Sequence, residues 1–575
     1  MTANKMITNK RRKSRMGSKI NLLRISIATV GMFLFSIGLA NAQDNGLSGT
    51  IVVPGDIKPK LADAVKIDVV PAQENITVKK PAMTYTTDPY LVPSLTYKTK
   101  LQAFGLKNVP LPELQKCFVK GGFGNYTNIY GELFYNTLRN RTDLFSVDIK
   151  HLSGDANNTN TNNNSTIVKN SGFSTNSFDA FGSHIFAGKY SLSASFGDRR
   201  DANHFYATIP DSLKPNLSDY QAFNDFHAKL NFENTGADSG KLRYKIGVGF
   251  NSFVDYYKTS ESDVNIGAKF DEPLNGNHIV ADGSYDAMTY KTTENTVDRS
   301  ILKINVGYDF KTGIFRAHLG FKTANEKDST HTFFHFYPDV RLETDLVEKY
   351  LTVLAGITGG LENNTFRSFA YENPFIVSDP LLRNTNNNFS LFGGIKGSFS
   401  SNSSFLLTAA FKNYQNLNFY VQDTTDRRKY AIVYDNGTSD LNLHGELAWS
   451  FMENLDLSTK IDLNSYHVAS LKQAYERPGF QWMLTGNYNL EHKIVFGGDL
   501  FYEGSRYAAD LGEKTITTLK PFVDMNAHVS YAFDNVKGLK VFIELNNIFG
   551  YQYMIWNNYP VRGFQIVGGA MFSFL

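Results

Sequence analysis

Two histidines in an aromatic run are the first candidates for chemistry in this sequence. His331 and His335 lie four positions apart in the run H-T-F-F-H-F. On a helix this spacing would place both imidazoles on one face, where they could bind one metal ion. On a strand, they would share a face but lie about 13 Å apart. One ion cannot bridge that distance, so we predict histidines that line a lumen or a loop, and no metal site.

Nucleophiles, bases and phosphate-binding loops show no catalytic arrangement in the sequence. We find no G-x-S-x-G turn, Walker loop, dinucleotide fingerprint or H-E-x-x-H motif. Cys117 is the single cysteine, which excludes an intramolecular disulfide and argues against a cysteine-based zinc site. We therefore predict that the protein is not an enzyme and requires no cofactor.

Ionisable side chains on one parity of alternating segments are predicted to face a polar interior. The members of this set are Arg243, Lys245, Lys303, Arg316, His318, Lys396, Glu446, Asp524 and Glu544. They could create a field that selects solutes. They could also be an ordinary polar lining in which neighbouring strands form ion pairs. Because both signs are mixed, we favour the lining and keep the selective field as the alternative.

The elements that would position these side chains are β-strands. In Leu441–Phe451 the residues of one parity are apolar, and those of the other include Asn442, His444 and Glu446. Leu455–Asn464 alternates in the same way. A helix would mix these two faces, because its period is 3.6 residues and not 2. The pattern therefore predicts strands with one apolar and one polar face.

The last fourteen residues, Arg562 to Leu575, form the most informative of these segments. One parity is apolar or small, and its large members are Phe564, Ile566, Phe572 and Phe574. Such a terminal strand is typical of an outer-membrane β-barrel, which closes by pairing its last strand with its first. In a soluble protein the same strand would be an aggregation hazard. We predict that it is the barrel-closing strand.

Composition and connection lengths agree with a barrel. Aromatic residues make up 14% of the chain and there are 45 glycines, yet the mean hydropathy is only −0.29. Short connections alternate with long ones, as periplasmic turns and extracellular loops do. The strands counted between these connections number about 22. We therefore predict an all-β fold, a transmembrane antiparallel β-barrel of about 22 strands with a short Pro-rich N-terminal segment.

The N-terminal region reads as an export signal. Eight basic residues and no acidic one precede Gln43, and Ile25–Leu39 is an apolar run of signal-peptide length. Removing these eight charges changes the formal net charge from +3 to about −5, which gives no argument for nucleic acid. We predict a signal peptide at 1–42, a Pro-rich periplasmic or lumen segment at 43–115, and a barrel at 116–575. The predicted location is the outer membrane of a Gram-negative bacterium.

The C-terminal motifs resemble those of TonB-dependent outer-membrane receptors. Glu544-Leu545-Asn546-Asn547-Ile548-Phe549 is followed by Tyr559-Pro560-Val561-Arg562-Gly563 and the closing strand. Gly122–Tyr126 is similar to the start of receptor-like barrels from Bacteroidetes. The order Arg-Gly and the final Leu575 depart from the family pattern. The resemblance implies a receptor-like barrel that transports or takes up a solute.

Two features near the mature N-terminus bear on that implication. The segment Thr50, Ile51, Val52 and Val53 resembles a TonB box, which a periplasmic partner binds by strand addition. Residues 43–115 are too few for the plug domain of these receptors and are rich in proline, so we expect no full plug. Without a full plug domain, the lumen must be filled by this Pro-rich segment, by inward-folded loops, or by another protein.

Two functions remain open from the sequence. The first is solute transport or uptake across the outer membrane. The alternative is a non-transporting structural or accessory barrel that scaffolds surface lipoproteins or an outer-membrane complex. The expected partners are outer-membrane lipid and the barrel-assembly machinery, with TonB or a surface lipoprotein as further candidates.

Overall fold

A computed structural model describes residues 116–137, 142–155, 171–209, 218–234, 241–328, 331–491, 493–510, 512 and 514–574, all in one compact unit. The predicted signal peptide and Pro-rich segment, with Thr50–Val53, lie outside these residues. No helix among the described residues is long and apolar enough to cross a membrane.

The described chain folds into 28 strands and one short helix, α1 (Phe366–Glu372). The strands are β1 (Cys117–Gly124), β2 (Ile129–Asn136), β3 (Asp143–Gly154), β4 (Phe173–Phe186), β5 (Tyr190–His204), β6 (Tyr220–Asn234), β7 (Arg243–Asp255), β8 (Ser260–Leu274), β9 (Asn277–Lys291), β10 (Thr296–Thr312), β11 (Phe315–Asp328), β12 (His331–Val347), β13 (Leu351–Glu362), β14 (Thr385–Gly397), β15 (Ser403–Gln415), β16 (Leu417–Gln422), β17 (Tyr430–Asp435), β18 (Thr438–Met452), β19 (Leu455–His467), β20 (Phe480–Leu490), β21 (Ile494–Glu503), β22 (Arg506–Asp510), β23 (Thr515–Leu519), β24 (Phe522–Ala532), β25 (Leu539–Asn546), β26 (Met554–Trp556), β27 (Tyr559–Pro560) and β28 (Gln565–Phe574).

Twenty-two of these strands form one closed antiparallel barrel. The closure joins β1 to β28, with register from Cys117 opposite Phe574 to Gly124 opposite Val567. The predicted fold and the count of about 22 strands are confirmed. The remaining six strands, β16, β17, β22, β23, β26 and β27, lie within connections and form two small separate sheets.

The two faces of the barrel wall differ as the alternation requires. Along β7, Ile246, Val248 and Phe250 are exposed on the outer face, and Arg243 and Lys245 occupy the opposite parity. The predicted closing-strand residues Phe564, Ile566, Phe572 and Phe574 are likewise exposed. An apolar outer face and a charged inner face form the arrangement of a barrel surrounded by lipid.

The two ends of the barrel differ in the length of their connections. At the turn end, β8 and β9 are joined by Asn275-Gly276 alone, and both residues have positive φ (51° and 83°), as a tight hairpin requires. At the loop end, the β13–β14 connection contains α1, and the β15–β18 connection contains β16 and β17. The elements inside these long connections are not predicted from the sequence.

Candidate functional site

A cavity of about 680 Å³ lies against the inner wall near the turn end of the barrel. Its charged lining balances four acidic against four basic residues, together with two histidines. These residues are Asp282, Asp309, Asp339, Glu343, Lys311, Arg316, Lys322, Arg341, His278 and His318. Two residues of the predicted inner set, Arg316 and His318, therefore line this cavity.

The cavity wall is held by ion pairs that cross neighbouring strands. His318 Nδ1 lies 2.5 Å from Asp309 Oδ1 on β10, and its Nε2 lies 3.4 Å from Asp339 Oδ2 on β12. Asp339 is also 3.3 Å from Lys322 Nζ and 3.2 Å from Arg341. The groups of this network thus pair within hydrogen-bonding range, which lowers the cost of lining the lumen with ions.

A second group continues this network around the wall. Arg316 donates to both carboxylate oxygens of Asp345, at 2.5 and 2.7 Å, and it lies 3.2 Å from Glu343. Lys396 Nζ donates to the other oxygen of Glu343 at 2.6 Å. The bidentate pair fixes the orientation of the guanidinium, so this part of the wall is rigid as well as charged.

The other members of the predicted inner set are distributed around the barrel. Arg243 pairs with Asp271, and Lys245 lies 3.1 Å from Glu233. Glu446 lies 3.0 Å from His444, and Glu544 lies 3.0 Å from Lys120. Asp524 accepts a hydrogen bond from Tyr553 Oη at 2.9 Å. Lys303 lies between Leu302 and Ile304, whose side chains are exposed on the outer face. The structure does not gather these residues into one site.

A cluster of buried aromatic and aliphatic side chains lies at the loop end, and we call it the loop cap. It draws residues from four connections and from the loop ends of three strands. Its members are Phe205, Ala207, Ile209, Phe223, Phe253, Tyr290, Phe366, Phe369, Ala370, Phe375, Ile376, Leu382, Tyr420, Tyr430, Ile432, Trp556 and Tyr559. Its size is that of a small protein core, so the connections fold inward to pack on one another.

Tyr559 is at the centre of the loop cap. Its ring is fully buried and stacks on Phe375 with centroids 3.7 Å apart, and Tyr206 meets it edge-on at 5.0 Å. Its hydroxyl donates to the carbonyl of Arg428. One side chain therefore joins the β5–β6, β13–β14, β15–β18 and β25–β28 connections by apolar contact and one buried hydrogen bond.

Helix α1 fastens the loop cap to the barrel wall. Thr365 caps the helix by accepting from Ser368 N at 2.9 Å, and the Phe366 amide donates to Glu261 of β8 at 2.7 Å. Arg367 donates to Asp225 of β6 at 2.8 Å. The helix is thus held at its first turn by carboxylates that project inward from two barrel strands.

A buried carboxylate joins two further parts of the loop end. Asp435, at the end of β17, accepts from the backbone amides of Ala469, Ser470 and Leu471 at 2.6 to 3.1 Å, and from the Thr438 hydroxyl at 2.7 Å. Burial opposes its ionisation, but these donors lower the pKa of the Asp435 carboxyl below its ordinary value. The carboxylate therefore stays charged and holds the β19–β20 connection against β17.

Two buried glutamates share one arginine at the edge of the loop end. Arg506 Nε lies 3.0 Å from Glu503 Oε1, and its Nη1 lies 3.7 Å from Glu476 Oε2. Arg506 also donates to the Met554 carbonyl at 2.7 Å. Burial raises the pKa of Glu476 to about 7, although Arg506 and the Asn557 amide oppose the rise, and nearby Glu503 adds to it.

We expect the packing of the loop end to loosen as the pH rises through neutrality. Glu476 has a raised pKa when buried and an ordinary value of 4.5 when exposed, so its contribution favours the packed form in acid. That contribution is lost between about pH 4.5 and pH 7 and amounts to about 3 kcal/mol at most. Hydrogen exchange corrected for intrinsic rates should show less protection of residues 417–435 at about pH 8 than at about pH 5.

Two variants distinguish this effect from a general response to pH. Glu476→Gln should remove the pH dependence of protection, because the amide does not titrate. Glu348→Gln, in an exposed turn at the other end of the barrel, should retain it. The same pH dependence in all three proteins would show that Glu476 is not its source.

The loop cap is the part of the site that sequence reasoning missed. Its aromatic residues follow no period of 2 or 3.6, although their density between residues 366 and 377 was visible in the sequence. His331 and His335 both lie on β12 as predicted for a strand. No group of three or more metal-binding side chains occurs among the residues that the structure describes.

No family model and no curated protein matches this sequence. Solved structures do match it. The FrpB iron transporter from Neisseria meningitidis (F3-3 variant) has a TM-score of 0.63 and 11% identity, covering 81% of this chain and 82% of that one. The pyoverdine outer membrane receptor FpvA from Pseudomonas aeruginosa PAO1 has a TM-score of 0.61 and 12% identity, covering 80% of this chain and 78% of that one. The ferric-catecholate import receptor Fiu from E. coli K12 has a TM-score of 0.61 and 10% identity, covering 80% of this chain and 82% of that one.

At these identities the likeness concerns the fold. The described chain has the 22-strand barrel of TonB-dependent outer-membrane receptors, so the resemblance recognised in its C-terminal motifs is confirmed at the level of architecture. The neighbours are named as transporters and receptors. The Bacteroidetes type, the short N-terminal segment and the TonB-box-like residues stay predictions.

Proposed function

We propose that this protein transports a solute across the outer membrane through the barrel lumen, and that the loop cap closes the outer mouth of that path. The observation that supports this most directly is the cavity beneath the mouth, with its charged and internally paired wall. A charged wall is hydrated, which suits the passage of hydrated solutes.

The first solute to test is a ferric chelate. The three neighbours are named for iron transport, pyoverdine reception and ferric-catecholate import. Their shared solute class supports the choice of probe, and the fold supports the route. In this proposal residues 1–42 direct export, residues 43–115 lie in the periplasm or enter the lumen, and 116–575 form the barrel.

Deleting Gly49–Val53 should abolish energised uptake. If Thr50–Val53 pairs with a periplasmic energy-coupling partner, its loss removes the strand that the partner binds. Accumulation of radioactive iron, supplied as pyoverdine and catecholate complexes to iron-starved cells, measures the effect. Deletion of Asp56–Lys60, which is equally long and lies in the same segment, is the matched control and should leave uptake unchanged. Unchanged uptake after deletion of Gly49–Val53 would exclude the TonB-coupled form of the proposal.

The alternative function is a scaffold for surface lipoproteins or for an outer-membrane complex. It is favoured by the density of the loop cap, whose central residues Phe366, Ile376 and Tyr559 are fully buried. The two functions differ in what lies beneath the cap. A transporter with an open lumen has a continuous path there, whereas a scaffold remains closed when the cap is removed.

A further inference from the structure

The ladder between β12 and β13 ends before either strand does. Its last pair toward the loop end is Val340 with Ile357. β12 continues to His331 and β13 continues to Glu362. Among the described barrel strands, this is the only neighbouring pair in which both strands run on by five residues or more past their ladder.

Side chains close the lower part of this gap. Thr358 Oγ1 donates to Asp339 Oδ1 at 3.0 Å, and the Tyr337 hydroxyl donates to Asn386 Oδ1 at 2.7 Å. Tyr337 is buried, and its ring lies directly over Gly359. The strands therefore separate at this level without leaving an opening into the lumen.

Above Tyr337, one edge of β12 forms no backbone ladder with a described strand, and Asn386 of β14 reaches it only through its side chain, 3.3 Å from His335 Nδ1. The segment Thr332–Phe336, which we call the β12 edge, pairs with β11 on one side and with no described strand on the other. Phe333, Phe334 and Phe336 are 50%, 69% and 61% exposed. Exposed strand edges are normally guarded by lysine, proline or a bulge; Pro338 lies two residues below this segment, and the segment itself contains none of them.

We propose that the β12 edge binds an extended segment of a partner polypeptide at the cell surface, which adds to the barrel wall as a further strand. The backbone groups of an unpaired edge are satisfied in register only by another extended backbone. Phe334 and Phe336 share the outer parity, so the partner strand carries apolar residues on that face. The segment contains no lysine, arginine, aspartate or glutamate, and the partner strand is correspondingly short of charge where it meets the edge.

A second copy of this chain cannot bind by regular antiparallel pairing of the two β12 edges. Regular antiparallel pairing of two β12 edges needs a twofold axis perpendicular to the wall, and that axis lies in the membrane plane. It would invert one barrel relative to the other, which a common orientation in the membrane forbids. The partner strand in this proposal belongs to a different polypeptide.

The test uses the intact protein in mild detergent and a fluorescent peptide that copies His331–Tyr337, because free peptide can take the antiparallel orientation. Fluorescence anisotropy should show saturable binding. A peptide with identical side chains but N-methylated at alternate residues should bind at least about tenfold more weakly, because it cannot form the ladder.

Protein variants locate the binding. The double variant Phe334→Lys, Phe336→Lys should weaken binding by a similar factor, since lysine guards an edge. Phe399→Lys is the matched control, because Phe399 is 73% exposed in a turn at the other end, and it should bind as the unmodified protein does. Heat-modifiable migration on gels verifies that each barrel is folded. Equal binding of both peptides, no binding, or full binding by the double variant would each overturn the proposal.

Discussion

Removing the β13–β14 connection should convert a closed barrel into a conducting pore. Replacing residues 363–384 by a short Gly-Ser turn deletes α1 and six members of the loop cap. Glu362 and Thr385 lie opposite each other in the ladder, so a short turn can join them without moving the wall. Barrels of fewer strands already leave an aqueous channel, and we expect single-channel conductance in planar bilayers to rise by about tenfold or more.

A single substitution in the same connection is the control for this deletion. Leu381→Ser changes an exposed residue of the same connection and should leave the conductance as it is in the unmodified protein. If the deletion variant is folded but remains silent, the lumen is blocked beneath the loop cap. That result would exclude an open path beneath the loop cap. Together with unchanged uptake after deletion of Gly49–Val53, it would contradict the transport proposal and support the scaffold.

Gly569→Ala should prevent the barrel from closing. A Cβ at this position would lie 2.2 Å from the carbonyl oxygen of Gly121 and 2.4 Å from Cζ of Phe542. The oxygen belongs to the β1 backbone in the closing seam and cannot move without disturbing the β1–β28 ladder. Overpacking of this kind costs about 1–3 kcal/mol where side chains can yield, and more where backbone must. The folded fraction, measured by heat-modifiable migration of outer-membrane extracts, should fall strongly.

The neighbouring strand supplies a matched control for the seam. Gly121→Ala adds the same methyl group in the same pair of strands, at a position with no atom within 4 Å. It should assemble as well as the unmodified protein. Adding Phe542→Ala to Gly569→Ala should not restore assembly, because the Gly121 oxygen remains. Equal folded fractions for Gly569→Ala and Gly121→Ala would show that the seam tolerates the displacement.

The barrel could be predicted from the sequence because its signal is local. Alternation in segments such as Leu441–Phe451 and in the closing strand depends only on which face each residue occupies. The parity of Arg316 and His318 follows from the same pattern, and both line the lumen cavity. Their partners Asp345 and Asp309 could not be assigned, since that requires the register between strands.

The loop cap could not be predicted because its contacts are not local. Phe375 and Tyr559 stack although 184 positions separate them, and neither lies in an alternating or helical pattern that would suggest a partner. Helix α1 is short, and a capping threonine with Ser368 three residues later is a weak signal in isolation. The N-terminal segment, the TonB-box-like residues and their partner stay predictions.

The wide spacing of the loop-cap residues along the chain has a consequence for biogenesis. Tyr206 lies in the β5–β6 connection and Tyr559 in the last connection, so their contact cannot form until strands from both ends of the sequence are in place. Contacts of such long range form late during folding. We therefore expect the mouth to be sealed late in assembly, when the wall is nearly complete.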